Sequence, residues 1–101
     1  MTDKVKDKVA DNIKRYRLNF KGFVQGVGFR WTARNAANMY RLTGYVRNEY
    51  DGSVTCEVQG TDEEIDRFIA TIRSGRFIDV TDIDRRELPV DEDEKSFDVR
   101  Y

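Results

Sequence analysis

Two short stretches hold the residues best placed to do chemistry. The first, Gly22-Phe23-Val24-Gln25-Gly26-Val27-Gly28-Phe29-Arg30, packs three glycines into seven residues and ends on an arginine. Where such a loop joins a strand to a helix, unpaired backbone N–H groups converge and the helix dipole favours negative charge. Gly26 and Gly28 let the backbone approach an anion without a Cβ in the way. The fork of Arg30 can bind two phosphate oxygens while loop amides bind the rest. The plainer alternative is a tight connection followed by a solvated arginine, since a glycine-rich pattern alone is a weak signal. No Gly-Lys-Ser/Thr completes the pattern, so a nucleotide-binding P-loop is not expected.

The second stretch is Gly44-Tyr45-Val46-Arg47-Asn48, followed by Asp51-Gly52-Ser53-Val54 and closing on Gly60. The Asn48 amide both donates and accepts, so it can hold a water and a phosphate oxygen together. An asparagine just ahead of Asp-Gly is also a common turn former, and from this stretch alone both readings stand.

Composition narrows the chemistry further. The chain has 101 residues, 18 Lys+Arg, 19 Asp+Glu and no histidine. That excludes Ser-His-Asp and Cys-His triads, histidine-ligated zinc and an imidazole base. The single cysteine, Cys56, excludes an internal disulfide and multi-cysteine metal sites, and fits a reducing compartment. A formal net charge of -1 speaks against a strongly basic nucleic-acid module. No apolar run approaches the ~20 residues of a membrane span, and the first fifteen residues lack the apolar centre of a signal peptide. A soluble, cytoplasmic protein is therefore expected.

The positioning elements follow from periodicity. Residues 1–15 are polar and mixed in charge, with Val5, Val9 and Ile13 four apart; they are expected to form a partly disordered extension. The domain then spans residues 16–101. Tyr16 to Lys21 alternates as a half-buried strand. Ala33, Ala36, Ala37 and Tyr40 form a helical stripe, small enough for close packing, with Thr43-Gly44 as its stop. Tyr45-Val46 opens a second strand, Asp51-Gly52 turns it, and residues 53–59 form a third. Thr61 and Glu64 make a capping box for a helix with stripe Ile65, Phe68, Ile69 and Ile72, stopped at Ser74-Gly75. Residues 77–88 read as a fourth strand with Ile78, Val80 and Ile83 inward, and Phe97, Val99 and Tyr101 as a short terminal one. This β-α-β-β-α-β order plus a short C-terminal strand predicts an α+β, ferredoxin-like split β-α-β fold, with two helices packed on one face of an antiparallel sheet.

That architecture also serves RNA-binding domains, and Lys21-Gly22-Phe23-Val24 superficially echoes their aromatic motif. The echo falls at the first strand, whereas the aromatic platform belongs on the third, and residues 53–57 carry no aromatics. Nucleic acid is not an expected partner. Among the remaining residues, Trp31 is expected to pack within the first helix and Cys56 to be a small buried hydrophobe. Asp91-Glu92-Asp93-Glu94 reads as a solvated turn, and Arg85-Arg86 as surface charge.

Together the two stretches resemble the acylphosphatase family. Its Gly-x-Val-x-Gly-Val-x-Phe-Arg pattern matches Gly22 through Arg30 at every defined position. Its Gly-aromatic-Val-basic-Asn pattern, with the later Gly-x-Val and Gly, matches Gly44 through Gly60. The ending Phe97-Asp98-Val99-Arg100-Tyr101 is also similar, and the resemblance extends over residues 16–101. Phe20 departs from the branched aliphatic usual before the first glycine, at what is expected to be a core position. The resemblance implies hydrolysis of the carboxyl-phosphate bond of small acyl phosphates by direct in-line attack of water. It implies that Arg30 and the loop amides of Phe23, Val24, Gln25, Gly26 and Val27 bind the phosphate, and that Asn48 orients the water. No cofactor, metal or membrane partner is implied, and a monomer is expected. Two alternatives carry over from other classes: a carbamoyl-phosphate-binding module of the same fold, and a non-catalytic interaction domain.

Overall fold

The computed structural model describes residues 12–101; residues 1–11 of the expected extension lie outside them. Five strands and two helices follow in the order β1 (Ile13–Phe23), α1 (Phe29–Met39), β2 (Thr43–Asn48), β3 (Val54–Thr61), α2 (Asp62–Arg73), β4 (Asp79–Leu88) and β5 (Phe97–Arg100). The strands form one sheet in the order β4-β1-β3-β2-β5. Three of its pairings are antiparallel, but β5 runs parallel to β2. The sheet is therefore mixed, not purely antiparallel. A connection that starts from the far edge and ends beside β2 reverses the direction a hairpin partner would have had.

Alternation sorts each strand into two faces. Leu18 and Phe20 of β1 and Val54, Cys56 and Val58 of β3 turn toward the helices and are fully buried. Against them α1 sets Phe29, Ala33, Ala36 and Ala37, and α2 sets Ile65, Phe68 and Ile72, so both helices share one face. The alanines bring α1 close to the sheet, and the Phe29 ring meets Phe20 edge-on at 5.0 Å. Phe20 thus occupies the expected core position.

The α2 capping box forms as the sequence indicates: the Thr61 hydroxyl accepts from the Glu64 N–H, and the Glu64 carboxylate accepts from the Thr61 N–H. The end of α1 departs from expectation. It stops at Met39, and the left-handed residue is Arg41, with φ 59°; the Leu42 N–H closes back on the Ala37 carbonyl at 2.8 Å. Thr43 and Gly44 already belong to β2.

Three further expectations are corrected. The first strand begins at Ile13, inside the expected extension, because Arg15 is buried and held by Glu57, Glu94 and Gln59. Glu94 therefore does not belong to a merely solvated turn; its carboxylate pins residues 89–96 to the sheet, aided by Gln59 bonds to the Asp91 backbone. Arg85 and Arg86 are both exposed surface charges, as expected, with Arg85 ion-paired to Asp62 and Asp66 and 4.1 Å over the Tyr16 ring. Phe77 precedes β4 and is exposed.

Candidate active site

The residues of the two stretches meet where β1 hands over to α1. A cleft of about 240 Å³ opens there, lined by Val24, Gly26, Gly28, Arg30 and Asn48 among others. Gly26 and Gly28 take φ of 72° and 77°, left-handed conformations that cost a side chain ~1–2 kcal/mol. Gly28 is the N-cap of α1 and offers no capping side chain, and the first turn holds no acid. The positive end of α1 is thus uncompensated by the protein and faces the cleft, the arrangement that favours an anion.

Arg30 stands in that first turn, and its guanidinium lies 4.6 Å above the ring of Tyr101, which also lines the cleft. Short β5, beside β2, delivers this ring. Asn48 is the last residue of the β2–β3 ladder, paired with Val54, and so stands before the turn rather than within it. Its Oδ1 is buried and takes no hydrogen bond among the described residues. The turn itself is made by Asp51, whose carboxylate accepts from the Ser53 N–H and hydroxyl.

The loop and the hairpin are tied together by Gln25. Its Nε2 donates to the carbonyls of Glu49 (2.7 Å) and Ser53 (2.8 Å). Glu49 follows Asn48 directly, so one side chain fixes the separation between the glycine loop and the asparagine.

Not every candidate sits in the cleft wall. Val24 and Gly26 line it, whereas Phe23 is the last residue of β1, paired with Asp79 and with its ring exposed. The Gln25 side chain is spent on the hairpin, and Val27 packs against the core. Trp31 is not a packing residue: it is 65% exposed and lines the cleft. It stands two positions, about 200°, around the helix from the buried Phe29. Arg34, Val99 and Tyr101 line the cleft as well. The sequence reading passed over Arg34, though a second arginine four residues after Arg30 falls on the same helix face. Among the described residues the wall holds two arginines and no Asp or Glu side chain.

Elsewhere, charge is balanced locally. Burial pushes the Glu57 carboxyl up, but hydrogen bonds from Tyr45 and Arg15 outweigh it and hold it below the usual range. The Cys56 thiol is driven well above its ordinary value by burial alone, so it is inert at neutral pH.

The acylphosphatase family model matches residues 16–99. An acylphosphatase of Clostridium acetobutylicum is 42% identical over 90 residues, covering 88% of this chain and 99% of that protein. The acylphosphatase structure from Bacillus subtilis superposes with a TM-score of 0.81 at 34% identity, over 87% of this chain and 99% of that one. Full-length HypF in a phosphate- and nucleotide-bound form gives 0.79 at 33% identity, over 88% of this chain but 12% of that one. No helix among the described residues is long and apolar enough to cross a membrane. With its two motifs gathered at one cleft and its likeness running from end to end of the free-standing relatives, the chain belongs to the acylphosphatase family and is an acylphosphate-hydrolysing enzyme.

Proposed function

We propose that Arg30 and the backbone amides of residues 23–27 bind the phosphate of a small acyl phosphate, and that Asn48 holds the attacking water. The observation that carries this reading is the single cleft lined by Arg30, the glycine loop and Asn48, with a helix N-terminus and, among the described residues, no Asp or Glu side chain in its wall. An acyl phosphate suits it because its leaving carboxylate has a pKa near ~4 and departs without an acid. The water oxygen bonds to phosphorus as the phosphorus–acyl oxygen bond breaks; the electron pair leaves on the carboxylate, and the water's proton goes to the phosphate product. Phosphoryl transfer of this kind is mostly positioning and charge stabilisation. Arg30 and the amides stabilise the equatorial oxygens as charge shifts onto them. Asn48 is no base at neutral pH; its amide orients the water through a hydrogen bond. Within this reading the enzyme works as a cytoplasmic monomer on a small acyl phosphate, without cofactor, metal, nucleic acid or membrane.

Asn48→Ala separates binding from chemistry. Turnover of benzoyl phosphate is expected to fall by roughly 10²-fold, the scale of a misplaced reactant. Competitive inhibition by inorganic phosphate is expected to keep its wild-type constant. A parallel loss of both makes Asn48 a phosphate ligand and overturns the assignment.

A further inference from the structure

The Asn48 Oδ1 takes no hydrogen bond among the described residues, so the direction of its amide is inherited from the backbone of residues 47–49. Alternation along β2 puts Asn48 on the face of the buried Val46, beside the cleft, and sends Arg47 and Glu49 to the face that carries no helix. On that face the Glu49 carboxylate accepts from the Thr55 hydroxyl and from Arg47 Nη2, the latter at 3.2 Å. Thr55 stands on β3 opposite Arg47 and next to Val54, the partner of Asn48. Its Oγ1 also accepts from Asn19 Nδ2 at 3.2 Å, and the same amide reaches Ser53 Oγ at 3.0 Å. Thr55 is 1% exposed, and a buried hydroxyl is costly unless both its roles are used; here it accepts from β1 and donates to the end of β2. Gln25 holds the same hairpin from the cleft side, through the Glu49 and Ser53 carbonyls.

We infer that Thr55 is a positioning residue for the hydrolysis: through Glu49, from the far side of the sheet, it fixes the backbone that aims Asn48 at the attacking water. This rests on the reading that Asn48 orients that water. Asn48 and Val54 form the last rung of the β2–β3 ladder, where a strand has the fewest neighbours to hold it. Beyond that rung the Glu49 N–H still reaches the Ser53 carbonyl at 2.9 Å, and the chain then turns. A side-chain tie at this point limits rotation of the backbone about Asn48. A hydrogen bond to an ionised carboxylate is among the stronger ties available, and the Thr55–Glu49 bond is of that kind. Misplacing a reacting group by about 1 Å costs on the order of 10²-fold in rate. With Gln25 still in place, loss of the second tie costs a part of that, roughly five- to tenfold. Asn19, Thr55 and Glu49 do not line the cleft, so the loss falls on turnover and leaves phosphate affinity alone.

The test is Thr55→Val, which exchanges the hydroxyl for a methyl and keeps a β-branched side chain in the strand. With benzoyl phosphate its kcat is expected to fall roughly five- to tenfold, while the competitive inhibition constant of inorganic phosphate stays at the wild-type value. Thr55→Ser keeps the hydroxyl and is expected to hold kcat within about twofold of wild type. In a Glu49→Ala background, where the tie is already cut, Thr55→Val is expected to change kcat by less than about twofold. Should Thr55→Val fail to fold, Glu49→Ala in the otherwise wild-type chain carries the same test, with the same fall in kcat and the same unchanged inhibition constant. A folded Thr55→Val enzyme with wild-type kcat overturns the inference. So does a loss that Thr55→Ser shares, that recurs in full in the Glu49→Ala background, or that raises the inhibition constant in step. The underlying reading fails differently: Asn48→Ala would then turn over as wild type does. If Asn48→Ala loses turnover while Thr55→Val keeps it, the water site stands and the role of Thr55 falls.

Discussion

The guanidinium of Arg30 rests 4.6 Å above the ring of Tyr101, so the proposed phosphate ligand is held by an aromatic face from the far end of the chain. That face reaches the cleft because β5 pairs with β2 and Glu94 anchors the preceding turn on Arg15. Tyr101→Ala is expected to leave the fold intact, because the ring is almost fully exposed. A surface cation–π contact is worth ~0.5–1 kcal/mol, so KM for benzoyl phosphate should rise roughly two- to fivefold. Tyr101→Phe should keep wild-type values, since the ring face and not the hydroxyl meets Arg30.

Gln25 holds the glycine loop to the hairpin through two carbonyls, and Asn48 is the neighbour of one of them. Gln25→Ala is therefore expected to lower kcat by roughly tenfold to a hundredfold, as positioning losses do. The measurement is steady-state hydrolysis with far-ultraviolet circular dichroism as the folding control. Wild-type kcat in a folded variant would show that the loop keeps its place unaided.

Much of this fold was legible because its signals are local. The alanine stripe of α1, the Thr61–Glu64 capping box and Asp51-Gly52 each declare themselves within a few residues. What was not legible depends on pairing across the chain. Val80 and Ile83 face inward as the sequence indicates, but how two strand residues three apart share a face is not written locally. The reason is a bulge: Lys21 pairs with Asp82 and Gly22 with Val80, which leaves Thr81 without a partner and shifts the parity. Arg15 looked like the end of a polar tail because its partners Glu57 and Glu94 lie 42 and 79 residues away. At the site, the two motifs identified the residues but not the wall: Arg34 and Trp31 lie next to Arg30 on the helix and needed only its geometry.

Arg15 should matter to stability more than to catalysis. Removing one member of a buried ion pair leaves the others uncompensated, so Arg15→Ala is expected to destabilise the protein by about 3 kcal/mol. Urea denaturation measures this directly. An unchanged midpoint would mean that Glu57 and Glu94 find water easily.

Acid should weaken the fold in a definite window. Hydrogen bonds hold the carboxyls of Asp62, Glu57 and Glu49 below their ordinary values, Asp62 chiefly through Tyr16 and Glu49 chiefly through Thr55. Their unfolded values are the higher ones, near 4, so their stabilisation is complete above that pH and disappears as pH falls through the lower folded values. Thermal unfolding between pH 6 and pH 2 should show a Tm that is level at first and declines below about pH 4. A Tm that declines already between pH 6 and pH 5 would contradict these assignments.

Chelation is expected to leave activity unchanged. Arginine and backbone amides supply the positive charge, the leaving carboxylate needs no Lewis acid, and among the described residues no Asp or Glu side chain lines the cleft to hold a cation. Hydrolysis rates with and without EDTA check this, and strict dependence on added magnesium would count against the mechanism.

The central claim is that Arg30 binds the phosphate through the transition state, and the most direct measurement is kcat/KM of Arg30→Ala with benzoyl phosphate. A charge and several hydrogen bonds vanish together, so the value should fall by more than the ~10²–10³ associated with one oxyanion donor. A folded Arg30→Ala enzyme that keeps wild-type kcat/KM would contradict the account.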